Sequence, residues 1–233
     1  SSQARSNQEL VLALNQMAKG APADFDPSKV GSREVAAALA AADEYYVEKV
    51  HWLISVLVAI PFPLSVTDMN MNWTFINKPV ELFLNVKREQ VVGHQCSEWN
   101  ANICKTENCG IARLRKNFLV THFEQGGGNF KVDTTYLLNT KGEKIGHVEA
   151  VQDISLLVAG QRYQGKAVDQ LARYLDQMAG GNLDFVVEEL PSSDDNTLEV
   201  RKNFEKINTS LSTARDMLSG AIRMVMQNAD HVN

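Results

Sequence analysis

No run of about 18 apolar residues, the length a helix needs to cross a bilayer, occurs in this chain of 233 residues. The longest apolar stretch, LISVLVAIPFPL at 53–64, is short and broken by Pro61 and Pro63, so no membrane contact is expected within the chain. Cysteine is scarce. Three residues are an odd number and cannot all pair within one chain, which argues against a secreted disulfide framework and for a reducing, cytoplasmic setting. Basic excess is lacking as well: a net charge of −5 gives no electrostatic reason to expect nucleic acid as a partner. There is no G-x-S-x-G, H-E-x-x-H, kinase ATP-binding loop or phosphoacceptor motif. The glycine run 126–128 lacks the following helix and lysine of a phosphate-binding loop. No spacing orders a cysteine with one of the five histidines as a catalytic pair, so the chain is expected not to be an enzyme. The opening SSQARSN has no signal-peptide layout and no initiating Met, and the chain is expected to be an excised internal segment of a longer protein.

What is present begins with enough apolar residues, 44%, for a core, on a length suited to one or two domains or one domain with helical extensions. The stretch 63–155 alternates apolar with polar residues as a sheet does. PLSVTD (63–68) and NWTFIN (72–77) are short strand-like runs about the turn signal NMN, and PVELFLNV (79–86) reads as helical. HFEQ (122–125), KVDTTYLL (131–138) and GHVEAVQDIS (146–155) follow as strands, separated by GGGN and NTKGE. The expected class is α+β, one five-stranded antiparallel sheet with short helices.

SVTD-x4-WTFINKPVE at the front, VVGHQC in the middle and GHVEAVQDIS at the end resemble a PAS domain, placed at 58–157. Asp153-Ile154-Ser155 resembles the closing triplet of that family, which usually begins an exit helix. The resemblance implies that these three residues relay the state of the sheet to that helix. It also implies that a small-molecule or metal ligand can sit between sheet and helices, its identity unknown. On the residues alone, Asp153 and Ser155 can cap free backbone N–H groups at a helix start; the two roles are compatible.

Helical arms flank this stretch and repeat. Leu14-Asn15-Gln16-Met17-Ala18-Lys19-Gly20 returns as Leu175-Asp176-Gln177-Met178-Ala179-Gly180-Gly181, each a short amphipathic helix stopped at glycine. A polar connector follows each copy, APADFDPSKVGS (21–32) and NLDFVVEELPSSDDN (182–196), and a longer helix follows each connector. In the second long helix Val200, Phe204, Ile207, Leu211, Ala214, Leu218, Ala221 and Val225 step alternately by four and three, a heptad seam that supercoils with a partner. Its short companion shows Val168, Leu171, Leu175 and Met178 in the same rhythm. The first long helix runs Val35, Leu39, Ala42, Tyr46, Val50, Leu53, Leu57, with a stutter at 42–46–50. Glycine-stopped helix, connector and seam, with GNLDF (181–185) and DDNTLE (194–199), resemble a HAMP domain on each side, at 1–57 and 158–233. That resemblance implies a homodimer through parallel coiled coils, with Phe204, Ile207, Leu211, Ala214 and Leu218 on the dimer seam. Apolar stripes on lone helices must be buried; a monomer whose helices fold back on the sheet is the alternative.

The sharpest chemical cluster is His94-x-Cys96-x7-Cys104-x4-Cys109. Its thiols and imidazole are candidate metal ligands, although the spacing is not that of paired C-x2-C sites. A reversible disulfide and plain packing as small buried side chains are the other readings. Trp73, Phe75 and Trp99 are candidates for a pocket lining or for core; His94, His122 and His147 are candidate haem ligands or ordinary histidines. The resulting expectation is a HAMP–PAS–HAMP segment of a methyl-accepting chemotaxis receptor. It would transmit conformational change in the cytoplasmic portion of a sensor whose parent is membrane-anchored and couples to a chemotaxis kinase. The tail IRMVMQNADHVN (222–233) resembles the approach to a methyl-accepting domain. The alternatives are the sensor segment of a histidine kinase and a metal- or redox-dependent cysteine-cluster protein.

Overall fold

A computed structural model describes residues 2–19, 21–192 and 195–230. Gly20 of the first glycine stop, Asp194 at the head of DDNTLE and residues 231–233 of the tail lie outside the described residues. The elements run α1 (Ser2–Ala18), α2 (Arg33–Ala59), β1 (Leu64–Asp68), β2 (Trp73–Ile76), α3 (Lys78–Leu84), α4 (Arg88–Val91), α5 (Gly110–Leu114), β3 (Val120–Gln125), β4 (Gly128–Leu138), β5 (Lys144–Asp153), α6 (Ser155–Ala179) and α7 (Leu198–Asp230). The strands form one five-stranded sheet in the order β2-β1-β5-β4-β3; β1 pairs antiparallel with β2 and β5, and β3 with β4. This is the α+β arrangement, one five-stranded sheet with short helices, that the alternation predicts. No helix among the described residues is long and apolar enough to cross a membrane.

The chain divides into two compact units, Ser1–Trp99 with Thr135–Ala150, and Asn100–Thr134 with Val151–Asn233. In the first, a register shift falls where Thr67 pairs with Trp73 while Val66 pairs with Phe75. Residues three apart on a regular strand face opposite ways; the extra residue of a bulge reverses that parity. Trp73 and Ile76 are therefore both buried, 1% exposed each, and pack with Val80 and Val91 as a core cluster joined by Leu84, Val86, Cys96 and Trp99. Each such large side chain contributes about 1.5–3 kcal/mol on burial.

Asn77 holds this unit's strands to its helices. Fully buried, it accepts from Leu64 N (2.9 Å) and caps α3 through Val80 N (3.4 Å), while its amide donates to the carbonyls of Ile60 (3.3 Å) and Phe62 (2.9 Å). The passage from α2 into β1 is thus fastened to the start of α3. α3 ends at Asn85, whose φ of 54° is left-handed, a conformation Asn tolerates.

In the second unit β3 and β4 meet at a two-residue turn, Gly126 and Gly127 with φ of 59° and 81°, the geometry that suits the sheet's twist and calls for glycine. α6 stops at Gly180–Gly181, with Asn182 N bonded to Gln177 O (2.9 Å) and Gly181 N to Met178 O (3.0 Å), a Schellman stop. Back in the first unit, Ala21 N bonds to Gln16 O at 3.0 Å, the same bond at the equivalent place of the sequence repeat. Both short helices end alike.

Candidate functional site

The first unit carries a buried polar face on its sheet. Opposed residues of an antiparallel pair share a face, and Thr67 opposes His147 while Ser65 opposes Glu149. His147 is fully buried and Thr67 is 1% exposed. His147 Nδ1 lies 3.1 Å from Thr67 Oγ1 and 3.2 Å from the Asp68 carbonyl. A carbonyl only accepts, so Nδ1 carries a proton. The ring of Tyr136 sits 5.4 Å away, with Lys144 Nζ 3.7 Å above it on a cation–π contact. Nearby in the core, the indole N–H of Trp73 has no acceptor among the described residues, a desolvated donor costing about 1–3 kcal/mol. Asp68 accepts at Oδ1 from the backbone of Asn70 and Asn72 (2.8 Å each) and at Oδ2 from the Asn72 amide (3.0 Å). The Asn72 backbone bond above all, then its side chain, Asn70 and the His147 ring, holds the Asp68 carboxyl below the ordinary range.

In the second unit, β5 passes directly into α6. Ile154 N donates to Asn129 O (2.8 Å), and Asn129 N donates to Ser155 Oγ (2.9 Å). Asp153 Oδ1 accepts from Ser155 N at 2.8 Å; its hydrogen bonds with Ser155, side chain first and backbone second, lower its carboxyl. Asp153, Ile154 and Ser155 thus converge on Asn129 at the start of β4. In the sequence Asn129 reads as the last residue of the GGGN turn, whereas the strand already starts at Gly128.

α6 and α7 are then laced to the connector between them. Tyr163 Oη donates to Leu190 O (3.2 Å), Gln170 Nε2 to Glu188 O (3.2 Å), and Glu188 N to Tyr174 Oη (3.0 Å). Tyr174 stacks on Phe185 at 5.2 Å; Arg201 donates to Ser192 O (2.9 Å) and Arg215 to Phe185 O. Burial pushes the Tyr163 phenol above its ordinary value, with Glu189 adding to the effect. Of the expected seam, Leu211 is buried and Phe204 half-buried against Tyr163 at 6.3 Å, whereas Ile207, Ala214 and Leu218 are exposed. On α6, Val168 and Leu175 are exposed too, and Tyr163, Ala167 and Tyr174 are the buried positions.

The cysteines are three half-buried thiols. Cys96 packs against the Trp73 cluster, Cys104 lies in the irregular stretch before α5, and Cys109 immediately precedes α5. His94 is half-exposed and paired with Glu98 at 3.1 Å. Among the described residues no group of three or more His, Cys, Asp or Glu side chains is placed to hold a metal ion. Trp99 stacks on Phe83 at 5.5 Å, Phe75 lies under Arg88 at 5.1 Å, and His122 is exposed on β3.

No protein-family profile matches the chain, and no curated protein does. Among solved structures it is similar to the PAS domain of an HTR-like protein from Haloarcula marismortui, at 13% identity over 48% of this chain and 98% of that one, TM-score 0.37. The PAS domain of BvgS from Bordetella pertussis is similar at 17% identity over 53% of this chain and 98% of that one, TM-score 0.36. An RNA-binding light-oxygen-voltage receptor is similar at 15% identity over 45% of this chain, TM-score 0.35, and the chain spans 33% of that receptor's length.

Proposed function

We propose that the chain is a sensing and relay segment of a larger signalling protein, a PAS-type module between HAMP-type helical units at 1–57 and 158–233. The observation that carries this reading is the Asn129 clamp: the last sheet strand runs into α6 with no linker, and Ile154 and Ser155 are bonded to the neighbouring strand. A shift of that strand moves the first turn of α6 with it, and the laced connector passes the movement to α7. The input is a small molecule on the buried face near Trp73 and His147, or motion arriving through α2 at the Asn77 fastening. The output is a chemoreceptor signalling domain working through a chemotaxis kinase, with a histidine kinase as the alternative, in the cytoplasmic part of a membrane-anchored parent. The chain acts as a parallel homodimer, which gives the exposed Ile207, Ala214 and Leu218 a partner surface.

Sedimentation equilibrium tests the dimer. The chain is expected to sediment as a dimer and Leu218→Glu as a monomer; a monomeric parent chain would refute this part of the reading. Cysteine at 218, with the three native cysteines changed to serine, should cross-link between copies and freeze output in the parent protein. Unchanged signalling after complete cross-linking overturns the relay.

A further inference from the structure

A cavity of about 400 Å³ lies in the second unit, between the β3–β4 turn, the first turns of α6 and the end of the connector. Asn129 and Ser155 form one wall, Arg162 and Lys166 line it from α6, and Ser192 and Asn196 from the connector. Arg162 and Lys166 are the only charged lining residues among the described residues. They stand four residues apart, neighbours on a helix face, where like charges repel. Lys166 has no carboxylate partner among the described residues, and Arg162 has Glu124 at 2.8 Å in a pair whose side chains are 64% and 66% exposed, the weakly held kind. A neutral donor completes the wall. Ser155 Oγ accepts from Asn129 N and its hydroxyl hydrogen goes to the Asp153 carboxylate, which leaves the Asn129 side-chain amide as the neutral donor on that wall.

We propose that this cavity binds a small phosphate-bearing molecule, its charge held by Arg162 and Lys166 and a remaining oxygen by the Asn129 amide. Two cations beside an amide donor, with no carboxylate among the described lining residues, match an oxyanion with several acceptors, and the volume admits a compact phosphate ester as well as the free ion. The site does not depend on the relay reading. If that reading holds, the ligand joins the start of α6 to the end of the connector and so biases the relay.

The test is calorimetric titration of the full chain with inorganic phosphate and, separately, with a sugar phosphate, at ionic strength fixed with chloride. Saturable one-to-one binding is expected, at least tenfold weaker in Arg162→Gln and in Lys166→Gln and kept in Lys166→Arg. Lys202→Gln, an exposed lysine on α7 away from the cavity lining, should bind as the parent does. Tighter binding of the ester identifies a metabolite, and tighter binding of phosphate the free ion; either supports the site. No saturable heat at 10 mM of both compounds, or equal loss in the Lys202 control, overturns it. Circular dichroism of each variant separates lost binding from lost fold, and neither readout uses the dimer or the output.

Discussion

Replacing Asn77 by alanine is the sharpest probe of how α2 is fastened to the sheet. The change strips a fully buried side chain from two backbone N–H groups and two carbonyls. Leaving the buried Leu64 N–H without an acceptor costs about 1–3 kcal/mol, and losing the cap of α3 about 0.5–2 kcal/mol. The Ile60 and Phe62 carbonyls are only partly buried, so water takes part of their place and they add a few tenths to about 1 kcal/mol. Non-additivity within one side chain trims the sum, and about 3 kcal/mol is expected. In urea, with a slope of about 1–3 kcal/mol/M, this moves the midpoint by at least about 1 M. Asn77→Asp is the discriminating partner. It keeps the oxygen for Leu64 and Val80 but turns a second carboxylate oxygen toward two carbonyls. It should lose stability at neutral pH and regain part of it, relative to the parent, as acid protonates that carboxyl and restores a donor. Denaturant melts followed by circular dichroism at two pH values read both. A loss under 1 kcal/mol for the alanine variant, or an aspartate variant as stable as the parent at neutral pH, refutes the four-bond account.

Acid should weaken the β1–β2 turn. Because the folded Asp68 carboxyl lies below its ordinary value, its contribution is present above about pH 4 and is lost as pH falls through the lower folded value; Asp68→Asn should remove that acid sensitivity, checked by melts between pH 5 and pH 2. Alkali should show the reverse case at Tyr163. Burial raises its phenol, so the stability it contributes is complete below about pH 10 and falls as pH climbs through the folded value. An ultraviolet titration should show one tyrosine ionising late, and Tyr163→Phe should abolish that phase and cost about 0.5–1.5 kcal/mol.

The sheet was legible because alternation is a direct imprint of a half-buried strand, and all five strand-like runs became strands within a few residues. The pairing of Trp73 with Ile76 on one face was not, since strict alternation separates them and only the bulge joins them. The helical seams were legible in rhythm and offset in phase. On α2 the covered positions are Ala36, Leu39, Asp43, Tyr46, Val50, Ile54 and Leu57, where apolar periodicity selects Val35, Ala42 and Leu53. The connector decides this: Asp43 faces inward because its carboxylate accepts from Ala23 N at 2.7 Å. On α7 the half-buried Arg201 and Arg215 turn to connector carbonyls in the same way. A periodic count of apolar residues does not register polar side chains that serve a neighbouring backbone. Asn77 did carry a signal, an amide side chain ahead of a helix with Pro at its second position; Asn129 carried none, because its work is done by its backbone.

The Asn129 clamp also acts as an angular index. A helix turns about 100° per residue, so fixing Ile154 and Ser155 against one strand fixes the azimuth of every side chain further along α6. An added or deleted residue within α6 beyond that point would swing everything after it by more than a quarter turn, whereas a whole heptad returns it to within about 20°. The exit helix is therefore free to vary in length only in steps that preserve its heading.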